Sequence, residues 1–485
     1  EDAGEDDEPE HYWYYFQANG KALTNGDNDK VSLKTINGKK YAFDDEGKML
    51  YGWVDEDSAE RVDDTDSDGF KEGVYYFGGE DDGAMTTGWL QLDITYDEAT
   101  NDDYKYTAAA FNDDEDQTRW FYFKSNGKKI FAEDGDRTKD KTINGKKYAF
   151  DQYGAMVAEW SLDEDDLGTN PNAFTSNVAS SAEVITGKAF DSKYTESWKY
   201  FNSVEDGARV SKGWFKVVPA EKLNTGKYDD DEEAWYYADG SGKLYSGEFK
   251  TIKGKKYAFR TDGRMVSGLK FISDDGAGNF IVKADDNDEA AFGPFDTEDD
   301  FLANAPVYEA QGYKCYYFGD GDDGAMRTNK TSITIDGDKF NFYFQKSGGH
   351  KGAGITGEKD DKYYQSGMLM TAGSDEKYQI ITPIMSGTQL VGYDKYADVA
   401  DLVDGNVFRQ ETSYTDASLR TLGINKDADE VAELYVPVAA SSAQNHILIN
   451  TSGKVIDNKG KSKDGNDYYY VVDASKKVVA IYLEN

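Results

Sequence analysis

The stretch TINGKKYAF occupies residues 35–43 and returns unchanged at residues 142–150, while TIKGKKYAF at residues 251–259 differs by one residue. A nonapeptide with so few large apolar side chains cannot bury a core of its own. Its repetition therefore constrains the chain to a fold assembled from many small, like units. A longer unit surrounds it: INGKKYAFDDEGKMLYGW at 36–53, with relatives at 143–160 and 252–269. A second type reads YYFGGEDDGAMTTGW at 75–89 and YYFGDGDDGAMRTN at 316–329. A third opens on tryptophan, at 13–23, 120–130, 198–214 and 235–247.

Each unit reads as one β-hairpin. In KKYAF, Tyr41 and Phe43 share a face and Ala42 takes the other. The polar DDEG turn ends in Gly47, where a positive φ is cheap only for glycine, and KMLYGW returns with Met49 and Trp53. In this reading TINGKKYAF is half a hairpin. A lone hairpin is marginal in water, so each must lay its aromatic face on a neighbour. The fold class expected is all-β: an elongated solenoid of stacked β-hairpin repeats with acidic inserted loops.

The three nonapeptides begin at nearly equal spacing, each preceded by a tryptophan-led unit at Trp13, Trp120 or Trp235. A block of about three hairpins was duplicated and then took up insertions near 91–118, 161–196 and 273–311. The organisation expected is an acidic disordered start at 1–10, a repeat region over 11–371, a non-repeat α+β segment at 372–444 and repeat-like hairpins at 445–485. Within the non-repeat segment, residues 416–424 open a short helix with Asp416 near its cap.

Charge narrows the partners. A formal charge of −39 over 485 residues excludes a nucleic-acid partner, which needs clustered Lys and Arg. Aromatic residues reach 14 %, too many for a disordered chain. No run of 18 apolar residues exists, so no membrane insertion is expected. The single cysteine, Cys315, allows no internal disulfide and lies in the strand-like KCYYF, where burial fits better than catalysis.

The units resemble the cell-wall-binding repeat family, also called choline-binding or glucan-binding repeats, whose pattern is close to W-Y-Y-F-x-x-x-G-x-M-x-x-G-W. Residues 75–89 match it well, and the resemblance covers most of 11–371 in patches and the tail from about 445. The resemblance implies hairpins stacked into a superhelix, ligands lodged between successive hairpins, and a non-catalytic tethering role outside the cell, secreted or on the cell surface. It implies a Gram-positive setting and, as partner, a polysaccharide or cell-wall glycan, or choline.

All eight tryptophans fall in two positions of the repeat. Trp13, Trp120, Trp198 and Trp235 open a strand; Trp53, Trp89, Trp160 and Trp214 close one. Lys40, Lys147 and Lys256 occupy the opening column elsewhere, so that column faces solvent. Exposed indoles on a rigid hairpin suit a sugar face or a cation. The candidate sites pair a closing tryptophan with the next opening aromatic: Trp53 with Tyr75, Trp89 with Trp120, Trp160 with Trp198, and Trp214 with Trp235. The methionines Met49, Met85, Met156, Met265 and Met326 read as core. A neutral glucan-like glycan is favoured, because an acidic chain is repelled by anionic choline-bearing polymer; choline anchoring and a protein-binding stalk are the alternatives.

Calcium is a further possible ligand: DTDSDG at 64–69 offers Asp64, Asp66 and Asp68 at loop spacing, without the acidic residue expected at the twelfth position. No catalytic constellation stands out. The three histidines fall in no metal or triad motif, and the acidic residues are too many to nominate a pair.

Overall fold

The computed structural model describes residues 11–65, 67–95, 116–133, 136, 138–162, 195–220, 223–274, 280–281, 295–438, 445–457 and 461–485. The acidic start at 1–10, most of the three insertions, and Asp66 lie outside the described residues. The chain forms two compact units: residues 1–179, 190–246 and 261–264 make the first, and residues 180–189, 247–260 and 265–485 the second.

In the first unit the nonapeptide is a whole hairpin. Lys34–Ile36 pairs antiparallel with Lys39–Tyr41, Ile36 facing Lys39, across Asn37 and Gly38. Both turn residues have positive φ, 49° and 84°. A two-residue turn of this kind matches the right-handed twist of its flanking strands, which is why Asn-Gly is so strong a hairpin signal. The same turn joins Lys139–Ile143 to Lys146–Phe150 across Asn144 and Gly145. In the second unit a turn of the same kind joins Glu248–Ile252 to Lys255–Phe259 across Lys253 and Gly254 and, between longer strands, Asn329–Ile335 to Asp338–Phe344 across Asp336 and Gly337.

The hairpin expected across DDEG closes in a short form, with Asp44 N donating to the Lys48 carbonyl and Leu50 N to the Ala42 carbonyl, both at 2.9 Å. That corner carries one bridge, Phe43 to Met49, repeated as Phe150 to Met156 and Phe259 to Met265. An acidic side chain also folds the corner back on its own backbone: Asp44 Oδ1 accepts from Lys48 N at 2.7 Å, and Asp151 Oδ1 from the Tyr153 and Ala155 amides at 2.9 Å. A further kind of hairpin runs from a closing Gly-Trp strand to the next opening strand. Gly88–Thr95 pairs with Asp116–Phe123, Glu159–Leu162 with Trp198–Phe201, and Gly213–Val217 with Ala234–Ala238.

Successive units interlock in two ways. The backbone N–H of the residue two after each turn glycine donates to an opening-column carbonyl: Met49 to Trp13, Met85 to Lys40, Met156 to Trp120 and Arg209 to Lys147, all at 2.8 Å. The side chain of that residue lies over the next turn glycine. A methyl group added at Gly83, Gly127 or Gly207 would stand 2.3–2.4 Å from the sulfur of Met49, Met85 or Met156. Lys129 takes the position over Gly154, and Arg209 over Gly242. In the second unit Met265 lies over Gly324 and Met326 over Gly352. Only glycine fits, both for space and for φ. The methionines expected in the core therefore sit at a specific interlock.

Burial of charge accompanies this packing. Lys129 extends from its rung into the first unit, donates to the Phe70 carbonyl and lies 5.2 Å over the Trp53 ring. Desolvation lowers its pKa to about 7, and desolvation raises that of the buried Asp151 to about 6.

The second unit departs from an all-β expectation. Its helix Glu298–Ala310 falls within the insertion expected at 273–311. Thr297 caps it by accepting from Asp300 N, and three acidic residues in its first turn complement the helix dipole. Its Phe301 and Ala305 join Phe271, Phe342 and Cys315 in the core. Glu309, on the same helix, accepts from Thr356 Oγ1 at 2.5 Å and Ser366 Oγ at 2.8 Å. Shorter helices occupy Thr225–Asp229 of the first unit and Val399–Asp404 and Asp416–Thr421 of the second, the last capped by Thr415 with Asp416 next to the cap as expected. The chain is thus mostly β, in small hairpin sheets with a few helices. The segments 372–444 and 445–485 share sheets: Tyr378–Ser386 pairs with Ile447–Asn450, and Val431–Pro437 with Val478–Glu484. No helix of the described residues is long and apolar enough to cross a membrane.

Candidate ligand-binding site

The closing Gly-Trp strand and the next opening strand place aromatic rings by register alone. Trp89 stands directly opposite Tyr122, Trp160 opposite Tyr200, Trp214 opposite Tyr237 and Trp53 opposite Tyr76. In each pair the ring centroids lie 5.1–5.2 Å apart at 73–77°, an edge-to-face contact. The opening tryptophan, two residues before the tyrosine, shares its face and meets the closing tryptophan diagonally. Trp89–Trp120, Trp160–Trp198 and Trp214–Trp235 are consequently near copies, with centroids 6.2–6.4 Å apart and planes at 85–89°. Three of the four expected pairs are formed, despite the insertions between partners.

The fourth is not. Trp53 packs on Tyr76, while Tyr75 points to the other face and stacks on Phe77. The opening column of that unit holds Val74, so Tyr75 is one position out of phase.

Burial separates the pairs. Trp198 is 1 % exposed, Trp160 5 %, Trp53 2 % and Tyr75 5 %: these four are core. Trp160 Nε1 donates to the Val218 carbonyl at 2.7 Å, and Phe215 and Tyr236 close over its ring. Trp53 is enclosed by Phe121 and Phe123. The argument from lysine to an exposed column therefore fails at Trp198, where Ala220 and Leu223 contribute to the covering cluster. Trp89, Trp120, Trp214 and Trp235 are half-buried and reach solvent, and Trp13 is 50 % exposed.

The two accessible pairs differ in their surroundings. At Trp89 and Trp120, Glu205 Oε2 accepts from Trp120 Nε1 at 3.2 Å, with Gln91 Nε2 at 3.4 Å, and Tyr148 meets Trp89 at 4.9 Å. At Trp214 and Trp235, Tyr245 stacks flat on Tyr237, centroids 5.2 Å apart at 7°, and Lys216 faces Trp235 in register. Trp13 resembles Trp120 in its polar contact: its Nε1 donates to Asp81 Oδ1 at 3.2 Å. Hydrogen bonds from Trp13 and His11 hold the Asp81 carboxyl below its ordinary pKa. Tyr122, Tyr237, Tyr245 and Glu205 were not singled out from the sequence. The two-residue alternation of a strand, applied from Trp120 and Trp235, would have found the first two.

At the calcium motif, Asp64 Oδ1 accepts from Gly69 N at 2.9 Å and Lys71 Nζ lies 3.7 Å from Asp68 Oδ2. Asp66 is outside the described residues, and among those described no three metal-ligating side chains come together. Cys315 is buried, and burial pushes its thiol pKa well up, as expected for an inert structural cysteine.

The chain resembles a streptococcal glucosyltransferase and streptococcal choline-binding proteins. It is 26 % identical over 285 residues to Glucosyltransferase-S of Streptococcus mutans, a match covering 53 % of this chain and 16 % of that protein. The chain thus spans under a fifth of the curated relative's length. Among solved structures, choline binding protein F from Streptococcus pneumoniae, crystallised with a peptidoglycan analogue, aligns at 19 % identity, TM-score 0.27, covering 72 % of this chain and 95 % of that one. The modular autolysin LytC of the same species aligns at 15 % identity, TM-score 0.31, covering 76 % and 53 %. No protein-family model matches.

Proposed function

We propose that this chain is a non-catalytic, secreted or cell-surface carbohydrate-binding protein that holds a neutral, glucan-like polymer on its half-buried tryptophan pairs. The observation that carries this reading is the recurrence of one perpendicular tryptophan geometry at Trp89–Trp120 and Trp214–Trp235, with both pairs reaching solvent. A rigid strand scaffold holds these rings before any ligand arrives, so little ordering entropy is lost on binding. The flat Tyr237–Tyr245 platform beside Trp214 suits the apolar face of a pyranose, and Lys216 nearby disfavours a cation there. A net charge of −39 disfavours anionic polymer at low salt. The glycine–methionine rungs recur within each unit and support a stack of hairpins in each.

One observation favours a second reading at one site. The Glu205 carboxylate beside Trp120 adds negative charge to a perpendicular indole wall, an arrangement that attracts a quaternary ammonium such as choline. Affinity electrophoresis in dextran or starch gels, run beside choline-agarose chromatography, separates the two. Retardation in glucan gels, reduced by Trp214→Ala and Trp235→Ala, is expected. Retention on choline resin with no retardation in any glucan would overturn the glycan reading. Glycan hydrolysis by the pure protein, abolished by one carboxylate substitution, would overturn the non-catalytic one.

A further inference from the structure

Three tryptophan pairs share one geometry, yet of the three only Trp160–Trp198 is closed off. The stacked strands do not account for the difference. Tyr148 and Phe150 lie 4.9 and 5.8 Å from Trp89, ring centre to ring centre, and Tyr236 and Phe215 lie 5.0 and 5.8 Å from Trp160, but Trp89 still reaches solvent. What Trp160 and Trp198 have in addition is an inserted segment that follows the closing strand Gly213–Val217. Its Val218 carbonyl accepts from the Trp160 indole N–H at 2.7 Å, and its Ala220 and Leu223 pack in the cluster that holds both indoles. An oxygen on the indole N–H and aliphatic groups against the rings are the contacts that a sugar hydroxyl and a pyranose C–H face would make. A buried polar latch holds the end of this segment. Asn224 donates from Nδ2 to Asp262 Oδ2 at 2.7 Å, and Arg264 Nε donates to the same oxygen at 2.6 Å. Asn224 Oδ1 accepts from Lys227 N and so caps the helix Thr225–Asp229. All of these residues belong to the first unit.

We infer that residues 218–220 and 223–224 are an internal occupant of a third binding pair, Trp160–Trp198, which takes the same polymer as the open pairs once Asn224 leaves Asp262. The class of ligand rests on the glycan reading above; the internal occupancy does not. A tethered occupant needs little affinity of its own to keep the pair filled, because its effective concentration is high. It can also leave without unfolding the hairpins, since none of these residues pairs in the strands that carry the rings. The insertion thus holds one pair in reserve while its own hairpin keeps Trp214 and Trp235 at the surface.

Asn224→Ala in the whole chain removes the latch and leaves the rings and Leu223 in place. Oxidation of Trp160 and Trp198 by N-bromosuccinimide, read by peptide mass spectrometry in urea below the unfolding transition, should be at least about tenfold faster than in the parent. Leu223→Ser, with its fold checked by circular dichroism, should give the same gain and takes the place of Asn224→Ala if that variant does not fold. The ligand arm uses dextran gels and a background in which Trp120→Ala and Trp235→Ala disable the open pairs; adding Asn224→Ala should restore retardation. Equal oxidation of the parent and both variants up to global unfolding overturns the inference, because the segment is then ordinary core. Faster oxidation without restored retardation, in dextran that does retard the parent, overturns the third pair as a site. If dextran does not retard the parent, the glycan reading fails, and the oxidation rates alone decide for or against the internal occupant.

Discussion

The sulfur of Met156 fills the space in which a side chain at Gly207 would begin, 2.3 Å from the position of an added methyl carbon. Gly207 also holds a φ of 56°, so the position excludes other residues twice over, by volume and by backbone. Gly207→Ala is expected to cost about 2–4 kcal/mol in urea unfolding. Gly145→Ala is the control: its φ is 82° but nothing lies within 4 Å, and about 1 kcal/mol is expected. Adding Met156→Ala to Gly207→Ala should recover part of the loss; a fully additive double variant would show that the two residues do not meet.

Trp120 and Trp198 occupy the same repeat position but differ in burial. Trp198→Ala should destabilise by about 3–5 kcal/mol, as removal of a buried indole does. Trp120→Ala should cost about 1–2 kcal/mol and show its effect in ligand retention. Urea unfolding and affinity electrophoresis on the same two proteins check both halves.

The buried Asp151 has a pH signature of known sign. Its folded pKa, raised to about 6, lies above the unfolded value, so the folded state binds the extra proton between the two. Its contribution to stability is therefore present below the unfolded pKa and is lost as pH rises to about 6. Lys129, lowered to about 7 by desolvation, acts oppositely: stability rises with pH between about 7 and its ordinary range. Asp151→Asn keeps an oxygen for the Tyr153 and Ala155 amides and should flatten the pH 4–6 limb, worth at most about 3 kcal/mol. Denaturant midpoints from pH 4 to 9 test this.

Glu309 ties the helix Glu298–Ala310 to Thr356 and Ser366 in the second unit. Glu309→Ala leaves both hydroxyls to find new partners in a buried setting, and a loss of about 2–3 kcal/mol is expected. Faster proteolysis after residue 295, with the first-unit fragment unchanged, would accompany it.

The repeats made most of the candidate site legible. Fixed spacing of Gly-Trp and of Trp-x-Tyr was enough to pair Trp89, Trp160 and Trp214 with partners across long insertions. The phase of the hairpins was not legible from glycine positions, because both corners of each unit carry a glycine; the Asn-Gly step in TINGKKYAF, positive in φ at both residues, is the one that makes the ladder. Burial was out of reach for another reason. Trp198 and Trp120 look alike in sequence, and only tertiary neighbours such as Phe215 and Leu223 put one inside. The helix Glu298–Ala310 lay hidden in an acidic stretch that read as a loop, although Thr297 and its three following acids form a capped helix start.

Each rung of the interlock needs only the residue two places after one turn glycine and the turn glycine of the next repeat. The length of chain between one rung and the next is immaterial: Lys129 reaches a glycine nearby in sequence at Gly154, and Met265 reaches a distant one at Gly324. Loops can therefore lengthen, shorten or exchange their charges between rungs without resetting the frame. A lineage carrying this chain could rewrite what it shows to the outside while leaving the counting of its units untouched.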